Sequence, residues 1–266
     1  MSRAISSLQN PLVKNVLLLG EKPRARKEQN RIVIEGLREI RLAILSGFHI
    51  TDLLYSPELV PEDDLKTQLP DGHQVSLVEV TADVFNRLAY RTDSGGLIAL
   101  AEPRRLAFGD LQLSKTPLLL VLETVEKPGN LGALLRTADA SGLDAVIICD
   151  PQTDIYNPNA IRSSIGCIFT MPVVTASSGD AIAWMRGAGI KIFATALTAT
   201  RFYQETNFCQ PAAIIMGSEA NGLSSLWLEG ADERIKIPMR GKIDSMNVSA
   251  SAAIVIFEAM RQRGFR

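Results

Sequence analysis

The segment Pro117–Val125, PLLLVLETV, constrains the fold more than any other stretch of this chain. Its nearly continuous apolar run predicts a β-strand buried on both faces, as in a parallel sheet covered by helices on its two sides. Further strand-like runs follow it in alternation with helical segments: AVIICD, KIFATAL, AAIIMG and ERIKIPM. This alternation predicts an α/β domain built on a mostly parallel sheet.

The first part of the chain predicts a smaller α/β domain. Strand-like and helical segments alternate as far as Pro103, and residues 104–116 show only weak periodicity. A chain of 266 residues suits two domains of ordinary size. We therefore expect a first domain over residues 1–103, a linker over 104–116 and a second domain over 117–266.

Composition excludes several classes of protein. The 46% of hydrophobic residues is ample for a folded core, while the longest apolar runs are far shorter than a membrane span. The first residues lack the apolar region of a signal peptide, so we expect a cytoplasmic protein. Cys149, Cys167 and Cys209 are widely spaced in apolar surroundings and are expected to be reduced, buried thiols. His49 and His73 stand apart from other ligands, so no metal site is expected.

The net charge of −1 does not by itself indicate a nucleic-acid-binding protein, but the charge is unevenly distributed. The cluster KPRARK places Lys22, Arg24, Arg26 and Lys27 in a predicted loop, where they would suit contacts with phosphates. Taken alone, the same cluster fits a solvated basic loop equally well.

Three junctions between a strand and the next loop carry glycine and polar residues. VLETVEKPGNLGALLRTADASG has Asn130 as a possible helix cap and Arg136 farther along the helix. IIMGSEANGLS contains Gly217 and Glu219, and IPMRGKIDSMNVSASAA contains Asn247 and Ser249, either of which could cap the last helix. Parallel α/β sheets place their sites at the carboxyl ends of strands. Each junction alone also has an ordinary interpretation: a surface arginine, a turn, or a capped helix.

In this order and spacing, NLGALLRTA, IIMGSEANGLS and IPMRGKIDSMNVSASAAIVIFEAMRQR resemble the three motifs of the SpoU (TrmH-type) family. This family comprises RNA ribose 2′-O-methyltransferases of the SPOUT class. The resemblance covers residues 117–266 and includes NPNAIRSSIGCIFTMPV. The segments SLQNPLVKNVLLL and RIVIEGLREIRLAI are similar to a small substrate-binding domain, related to an RNA-binding ribosomal-protein fold, that often precedes it.

The resemblance implies a deep trefoil knot in the second domain, with S-adenosylmethionine bound in a bent shape between the second and third junctions. Small residues there would let main-chain groups hold the adenine, and Pro238 and Met239 would line the adenine side of the site. The residues that match cofactor-binding positions are Gly217, Ile237, Pro238, Met239, Met246 and Val248.

The implied reaction moves a methyl group from a sulfonium to a ribose 2′-oxygen. Arg136 matches the catalytic arginine, either as a base or as a group that positions phosphate and stabilises a developing alkoxide. The sequence does not choose between these roles. The polar residues that match positions orienting this arginine or shaping the pocket are Asn130, Glu219, Ser245 and Asn247.

The resemblance also implies partners. We expect an RNA substrate, 23S-type rRNA or else tRNA, with Arg162 as a further phosphate contact. A homodimer is expected, with Ile254, Phe257 and Met260 of the last helix as a possible interface, although core burial explains these residues too. Two other functions stay open: an RNA- or ribosome-binding protein without catalysis, and a SPOUT enzyme that methylates a base.

Overall fold

The computed structural model describes residues 5–61, 64–65, 69, 75–90, 95–243 and 245–265. Contacts divide the chain into two compact units. The first unit comprises Met1–Arg104 with Tyr156–Thr170, and the second comprises Arg105–Ile155 with Met171–Arg266. Each unit has a sheet of its own.

Within the residues that the structure describes, the sheet of the first unit has four strands of mixed direction. Strand order is β1-β4-β2-β3, with β4 antiparallel to both neighbours and β2 parallel to β3. The elements of this part of the chain are α1 (Pro11–Glu21), α2 (Pro23–Gln29), β1 (Ile32–Glu35), α3 (Leu37–Leu45), β2 (Ile50–Tyr55), β3 (Ser76–Glu79), α4 (Ala82–Leu88) and β4 (Leu97–Ala101).

The basic cluster does not form the predicted loop, because residues Pro23–Gln29 are the helix α2. Pro23 stands at the first helical position, where its fixed φ favours a helix start. Asn30 ends the helix in a left-handed conformation with φ of 50°. Ala25 and Arg26 are buried, so packing rather than composition stabilises this short helix.

In the described part of the second unit, the sheet has seven strands, and every pairing between neighbouring strands is parallel. The predicted α/β fold with a mostly parallel C-terminal sheet is therefore confirmed. Strand order is β7-β6-β5-β10-β8-β11-β9. The elements are β5 (Leu118–Glu123), α5 (Pro128–Ala140), β6 (Ala145–Cys149), α6 (Pro158–Ser163), α7 (Cys167–Thr170), β7 (Val173–Ala176), α8 (Ser178–Gly187), β8 (Lys191–Thr195), β9 (Arg201–Phe202), β10 (Ala212–Met216), α9 (Ser225–Gly230), β11 (Glu233–Lys236) and α10 (Val248–Gln262), of which α6 and α7 belong to the first unit.

The apolar strand residues fill the two faces of this sheet. Leu119 and Val121 of β5 pack into a buried cluster with Met185 of α8 and Trp227 of α9. Helices α5 and α10 pack against each other, and α10 also contacts β10. The strand β5 is buried throughout, as its sequence predicts.

The segment Tyr156–Thr170 packs with the first unit, although the sequence-based division kept it within the second domain. Helix α6 packs against β1 and α7 against α3. The strand predicted for FTMPVV starts later than expected. Phe169 and Thr170 belong to α7, and the observed strand β7 starts at Val173.

Cys149 and Cys167 are buried and Cys209 is exposed, so the expectation of three buried thiols is wrong for Cys209. Burial raises the pKa of the Cys149 thiol to about 12. Among the described residues, none of the helices has the length and apolar character needed to cross a membrane. The trefoil knot stays a prediction.

Candidate functional site

The three polar junctions lie at the carboxyl ends of parallel strands within one stretch of the sheet. In the sheet, β10 lies between β5 and β8, and β11 follows β8. The loop after β5 leads into α5, the loop after β10 leads into α9, and the loop after β11 leads into α10. Strand order thus brings together segments that are far apart in the sequence.

At the first junction, α5 begins earlier than the predicted cap implies. Pro128 occupies the first turn and Lys127 is the residue before the helix, so Asn130 lies inside the first turn rather than capping it. Its side-chain nitrogen instead donates a hydrogen bond to Glu219 Oε1 at 2.6 Å. Arg136 lies farther along the same helix and is exposed.

At the second junction, the chain turns back on itself directly after β10. Ser218 and Gly222 exchange backbone hydrogen bonds of 3.1 and 3.0 Å. A Cβ atom added to Gly217 would lie 2.2 Å from the carbonyl carbon of Gly222, so only glycine fits there. This tight turn presents Glu219.

At the third junction, Asn247 rather than Ser249 caps α10. Its Oδ1 accepts hydrogen bonds from the backbone nitrogen of Ser249 at 3.0 Å and from the Ser249 hydroxyl at 2.5 Å. Its Nδ2 donates to Glu219 Oε1 at 2.9 Å and to Asn130 Oδ1 at 3.3 Å. The cap therefore also connects the three junctions.

Glu219 is the centre of this network. Besides the two asparagines, the Lys127 ammonium group and the backbone N–H of Val248 donate to its carboxylate. The hydrogen bond from Lys127 is the largest cause that lowers the pKa of Glu219, and the same bond raises the pKa of Lys127. Glu219 therefore stays ionised well into the acidic range.

Sequence reasoning missed Lys127. A single lysine in a polar loop carries no pattern of its own, and only the fold places it beside a carboxylate 92 positions away in the sequence. The three neighbouring polar residues, Asn130, Glu219 and Asn247, were all predicted, and the structure brings them together.

A cavity of about 720 Å³ adjoins this network. Its walls come mainly from the loops after β8, β10 and β11 and from α10, and they mix apolar side chains with backbone polar groups. Of the predicted cofactor-binding residues, Pro238 is exposed and is not part of the cavity wall. The predicted residues that line it are Gly217, Glu219, Ile237, Met239, Ser245, Met246, Asn247 and Val248.

Other parts of the cavity wall were not predicted. Residues 195–198, from the last residue of β8 into the loop after it, line it together with Leu223 and Val255. Their residue types are ordinary for loops and core positions, so the sequence held no signal for them; strand order alone brings the end of β8 to the site. Arg136 is not among the described residues that line the cavity.

Two regions of the chain match known protein families. Residues 117–257 match the SpoU rRNA Methylase family, and residues 10–99 match the MRM3-like substrate binding domain. The chain belongs to the SpoU rRNA methylase family. The resemblance inferred from the three motifs is confirmed, as is that of the N-terminal part to a substrate-binding domain.

Proteins from several bacteria resemble this chain over nearly its full length. The 23S rRNA (guanosine(2553)-2′-O)-methyltransferase RlmP of Bacillus subtilis is 30% identical over 96% of this chain and 98% of its own. A 23S rRNA (uridine(2479)-2′-O)-methyltransferase of Streptomyces viridochromogenes is 28% identical over 92% of this chain and 88% of its own. The solved structure of an AdoMet-bound rRNA methyltransferase from Sinorhizobium meliloti has a TM-score of 0.87 at 30% identity, covering 98% of each chain.

The predicted RNA-binding residues of this SpoU family member lie in its first unit. Lys22, Arg24 and Lys27 are exposed on or beside α2, and Arg24 pairs with Glu28 at 2.6 Å. Arg26 is only 3% exposed, and its guanidinium donates to the backbone carbonyls of α1, including that of Leu19 at 2.5 Å.

Arg162 is half-buried on α6, where it donates to Asn159 Oδ1 at 2.5 Å. Its guanidinium carbon also lies 4.5 Å from the centre of the Tyr90 ring. In the described part of the chain, no group of three or more His, Cys, Asp or Glu residues is arranged to hold a metal ion.

Proposed function

We propose that this chain transfers the methyl group of S-adenosylmethionine to a ribose 2′-hydroxyl of RNA, with 23S-type ribosomal RNA as the substrate. The observation that carries the proposal is the junction of Asn130, Glu219 and Asn247 beside a cavity large enough for a cofactor. The names of the relatives and the AdoMet-bound structure support it.

The cavity fits the proposed cofactor in size and chemistry. Its volume of about 720 Å³ lies within the range of pockets that enclose small ligands. Ile237, Met239 and Met246 offer an apolar slot for the adenine ring, and the turn at Gly217 leaves main-chain groups accessible to it. Main-chain groups of Val248 would complete the binding site, with Pro238 at its edge. S-adenosylmethionine, when bound, supplies an electrophilic methyl group on its sulfonium.

In the proposed reaction, a bond forms between the ribose 2′-oxygen and the methyl carbon while the carbon–sulfur bond breaks, and the thioether S-adenosylhomocysteine leaves. The hydroxyl proton passes to solvent water as the bond forms. Glu219 is a poor acceptor for this proton, because its carboxylate already receives four hydrogen bonds and its pKa is lowered by Lys127. Its role is to hold Asn130 and Asn247 in place, while Ser245 shapes the substrate side of the cavity.

Arg136 is the proposed catalytic residue. An arginine side chain is a persistent cation with five N–H donors, so it suits stabilising a developing alkoxide and positioning a phosphate better than removing a proton. Its exposure on α5 leaves the guanidinium accessible to RNA. Loss of one such electrostatic interaction lowers turnover by about 100- to 1,000-fold in other enzymes.

The first unit is proposed to select the RNA. Lys22, Arg24 and Lys27 would contact phosphates, whereas burial makes Arg26 a structural residue. The relatives modify a guanosine and a uridine, so the base attached to the target ribose differs among similar chains. We further propose that the protein works in the cytoplasm as a homodimer and that its second unit is knotted.

The decisive experiment incubates the protein with methyl-labelled S-adenosylmethionine and separate pools of 23S rRNA, 16S rRNA and tRNA, then maps the labelled nucleotide. We expect label on a ribose of 23S rRNA. Label on tRNA would show that tRNA rather than 23S rRNA is the substrate, and label on a base would overturn the proposed reaction. If the protein does not bind the cofactor even at millimolar concentration, the alternative of an RNA- or ribosome-binding protein without catalysis is favoured.

Arg136→Ala should lower the turnover number by about 100- to 1,000-fold with little change in cofactor affinity. Arg186→Ala is the matched control, because Arg186 is also exposed on a helix of the second unit, donates to the backbone carbonyl of Gly230 and does not line the cavity. Full activity of Arg136→Ala would overturn the catalytic assignment.

A further inference from the structure

We propose that Tyr90 and Arg162 form a stacking site for an unpaired base of the RNA substrate. The inference rests on the proposed RNA methyltransferase function and adds a base-binding site to the first unit. Neither residue contributes to the cavity of the second unit.

Tyr90 is largely exposed to solvent, although its ring contacts the Arg162 guanidinium. The residue is 65% exposed, while the guanidinium carbon of Arg162 lies 4.5 Å from the ring centre. This distance is within the range of a cation–π contact, about 6 Å. The ring therefore has one face against a cation and most of its remaining surface in solvent.

Both members of the pair are held by the same strand. The backbone N–H of Tyr90 donates to Glu35, the last residue of β1, at 2.9 Å. Arg162 lies on α6, which packs against β1, and Asn159 holds its guanidinium at 2.5 Å. Asn159 is positioned in turn by the cap of α6, where Asn157 accepts its backbone N–H at 2.8 Å. The stack is thus built before any ligand arrives.

An RNA base is the ligand that this surface fits best. Proteins bind unpaired bases by stacking them on aromatic rings and on the planes of arginine side chains. Tyr90 supplies the ring, and the cation of Arg162 complements the negative charge that accompanies every nucleotide. The polar neighbours Asn159 and Glu35 argue against an apolar protein partner.

The stack also refines the predicted role of Arg162. Its guanidinium carbon lies over the Tyr90 ring, and one of its nitrogens donates to Asn159. A guanidinium has five N–H donors, so its remaining edge can still reach a phosphate next to the stacked base.

The test measures binding of the full-length protein to a 23S rRNA transcript by filter retention, with Tyr90→Ala, Tyr90→Leu, Tyr90→Phe and Tyr90→Trp. Loss of one stacked base weakens RNA binding by about 5- to 150-fold. We expect this loss for the Ala and Leu variants and affinity within about 3-fold of wild type for the Phe and Trp variants. The Leu variant keeps apolar bulk without a π face, so it separates stacking from simple packing.

The salt dependence of binding separates stacking from phosphate contact. Tyr90→Leu should leave the slope of log affinity against log salt unchanged, whereas Arg162→Met should reduce it. Leu59→Ala is the control, because Leu59 is 52% exposed in the same unit and has no predicted role.

Wild-type RNA affinity of Tyr90→Ala and Tyr90→Leu in a protein that methylates RNA would overturn the stacking site and leave the proposed function intact. A wild-type protein that binds cofactor but neither binds nor methylates any RNA would overturn the proposed function, and the stacking site with it. Equal loss in all four Tyr90 variants would also overturn stacking, because the aromatic replacements keep the π face.

Discussion

At the scale of single residues, the site depends on one carboxylate that joins three loops. Glu219 accepts hydrogen bonds from Lys127, Asn130 and Asn247, which come from two other junctions. The sequence predicted three of these four residues because their types and order resemble family motifs. Lys127 could not be found in this way, because its importance comes from its neighbour in space rather than from its neighbours in sequence.

The charge of Lys127 should set the acid limit of cofactor binding. Its hydrogen bond lowers the pKa of Glu219, so the ionised network is complete above the ordinary pKa of a glutamate and is lost only as the pH falls through the lowered value. Lys127→Met removes this effect and should shift the acid limb of cofactor affinity to higher pH, whereas Lys127→Arg keeps the charge and should preserve the wild-type profile.

Calorimetric titration of S-adenosylmethionine at a series of pH values measures this limb. The raised pKa of Lys127 acts at the alkaline end of the pH range. The Lys127 ammonium is charged below its ordinary pKa, and the ion pair is lost only as the pH rises through the raised value. Identical acid limbs in the wild type and in Lys127→Met would contradict the assigned role of Lys127.

At the scale of elements, strands with continuous apolar runs were predictable and short polar helices were not. Strand β5 is buried along its whole length. A strand buried on both faces has a nearly continuous apolar sequence, so the sequence alone identifies β5. Helix α2 reads as a basic loop, because its stability comes from the burial of Ala25 and Arg26 rather than from an apolar stripe. Cavity residues 195–198 could not be predicted either, because their place depends on the position of β8 in the sheet.

The turn after β10 should not tolerate a side chain at Gly217. A Cβ atom would lie 2.2 Å from the backbone of Gly222, so the turn that carries Glu219 must shift. Gly217→Ala should therefore destabilise the protein by about 1–3 kcal/mol and weaken cofactor binding at least about tenfold. Thermal unfolding and calorimetric titration measure the two effects.

Gly241→Ala provides the matched control for this turn. Gly241 is exposed in the loop before α10, and a Cβ atom there would meet nothing within 4 Å. We expect wild-type cofactor affinity and unfolding temperature for this variant. If Gly217→Ala also kept both wild-type values, the turn would be more tolerant than its geometry indicates.

At the scale of the whole molecule, the sequence predicted an α/β fold but not the order of its strands. In the sheet, strand β10 lies between β5 and β8. Along the chain, however, β6 and β7 come between β5 and β8, and β10 follows all of them. Such an order depends on long-range pairing, which local periodicity does not encode. The packing of Tyr156–Thr170 with the first unit is a second long-range feature of this kind.

The proposed homodimer requires a face of α10 that one chain leaves uncovered. Phe257 of this helix is 44% exposed, and Ile254 and Met260 are half-buried beside it. Because large exposed apolar side chains on one helix indicate an interface, we expect a mass of about 58 kDa in solution, twice the 29.0 kDa of one chain. Light scattering after size-exclusion chromatography measures this mass.

Phe257→Glu places a charge in the proposed interface and should shift the protein toward the 29.0 kDa monomer. Leu226→Glu is the control, because Leu226 is 49% exposed on α9 of the same unit and should leave the dimer intact. A monomeric wild type would contradict the homodimer itself. A dimeric Phe257→Glu variant would instead move the interface away from α10, because an unpaired carboxylate buried between two apolar faces costs more free energy than one aromatic contact contributes.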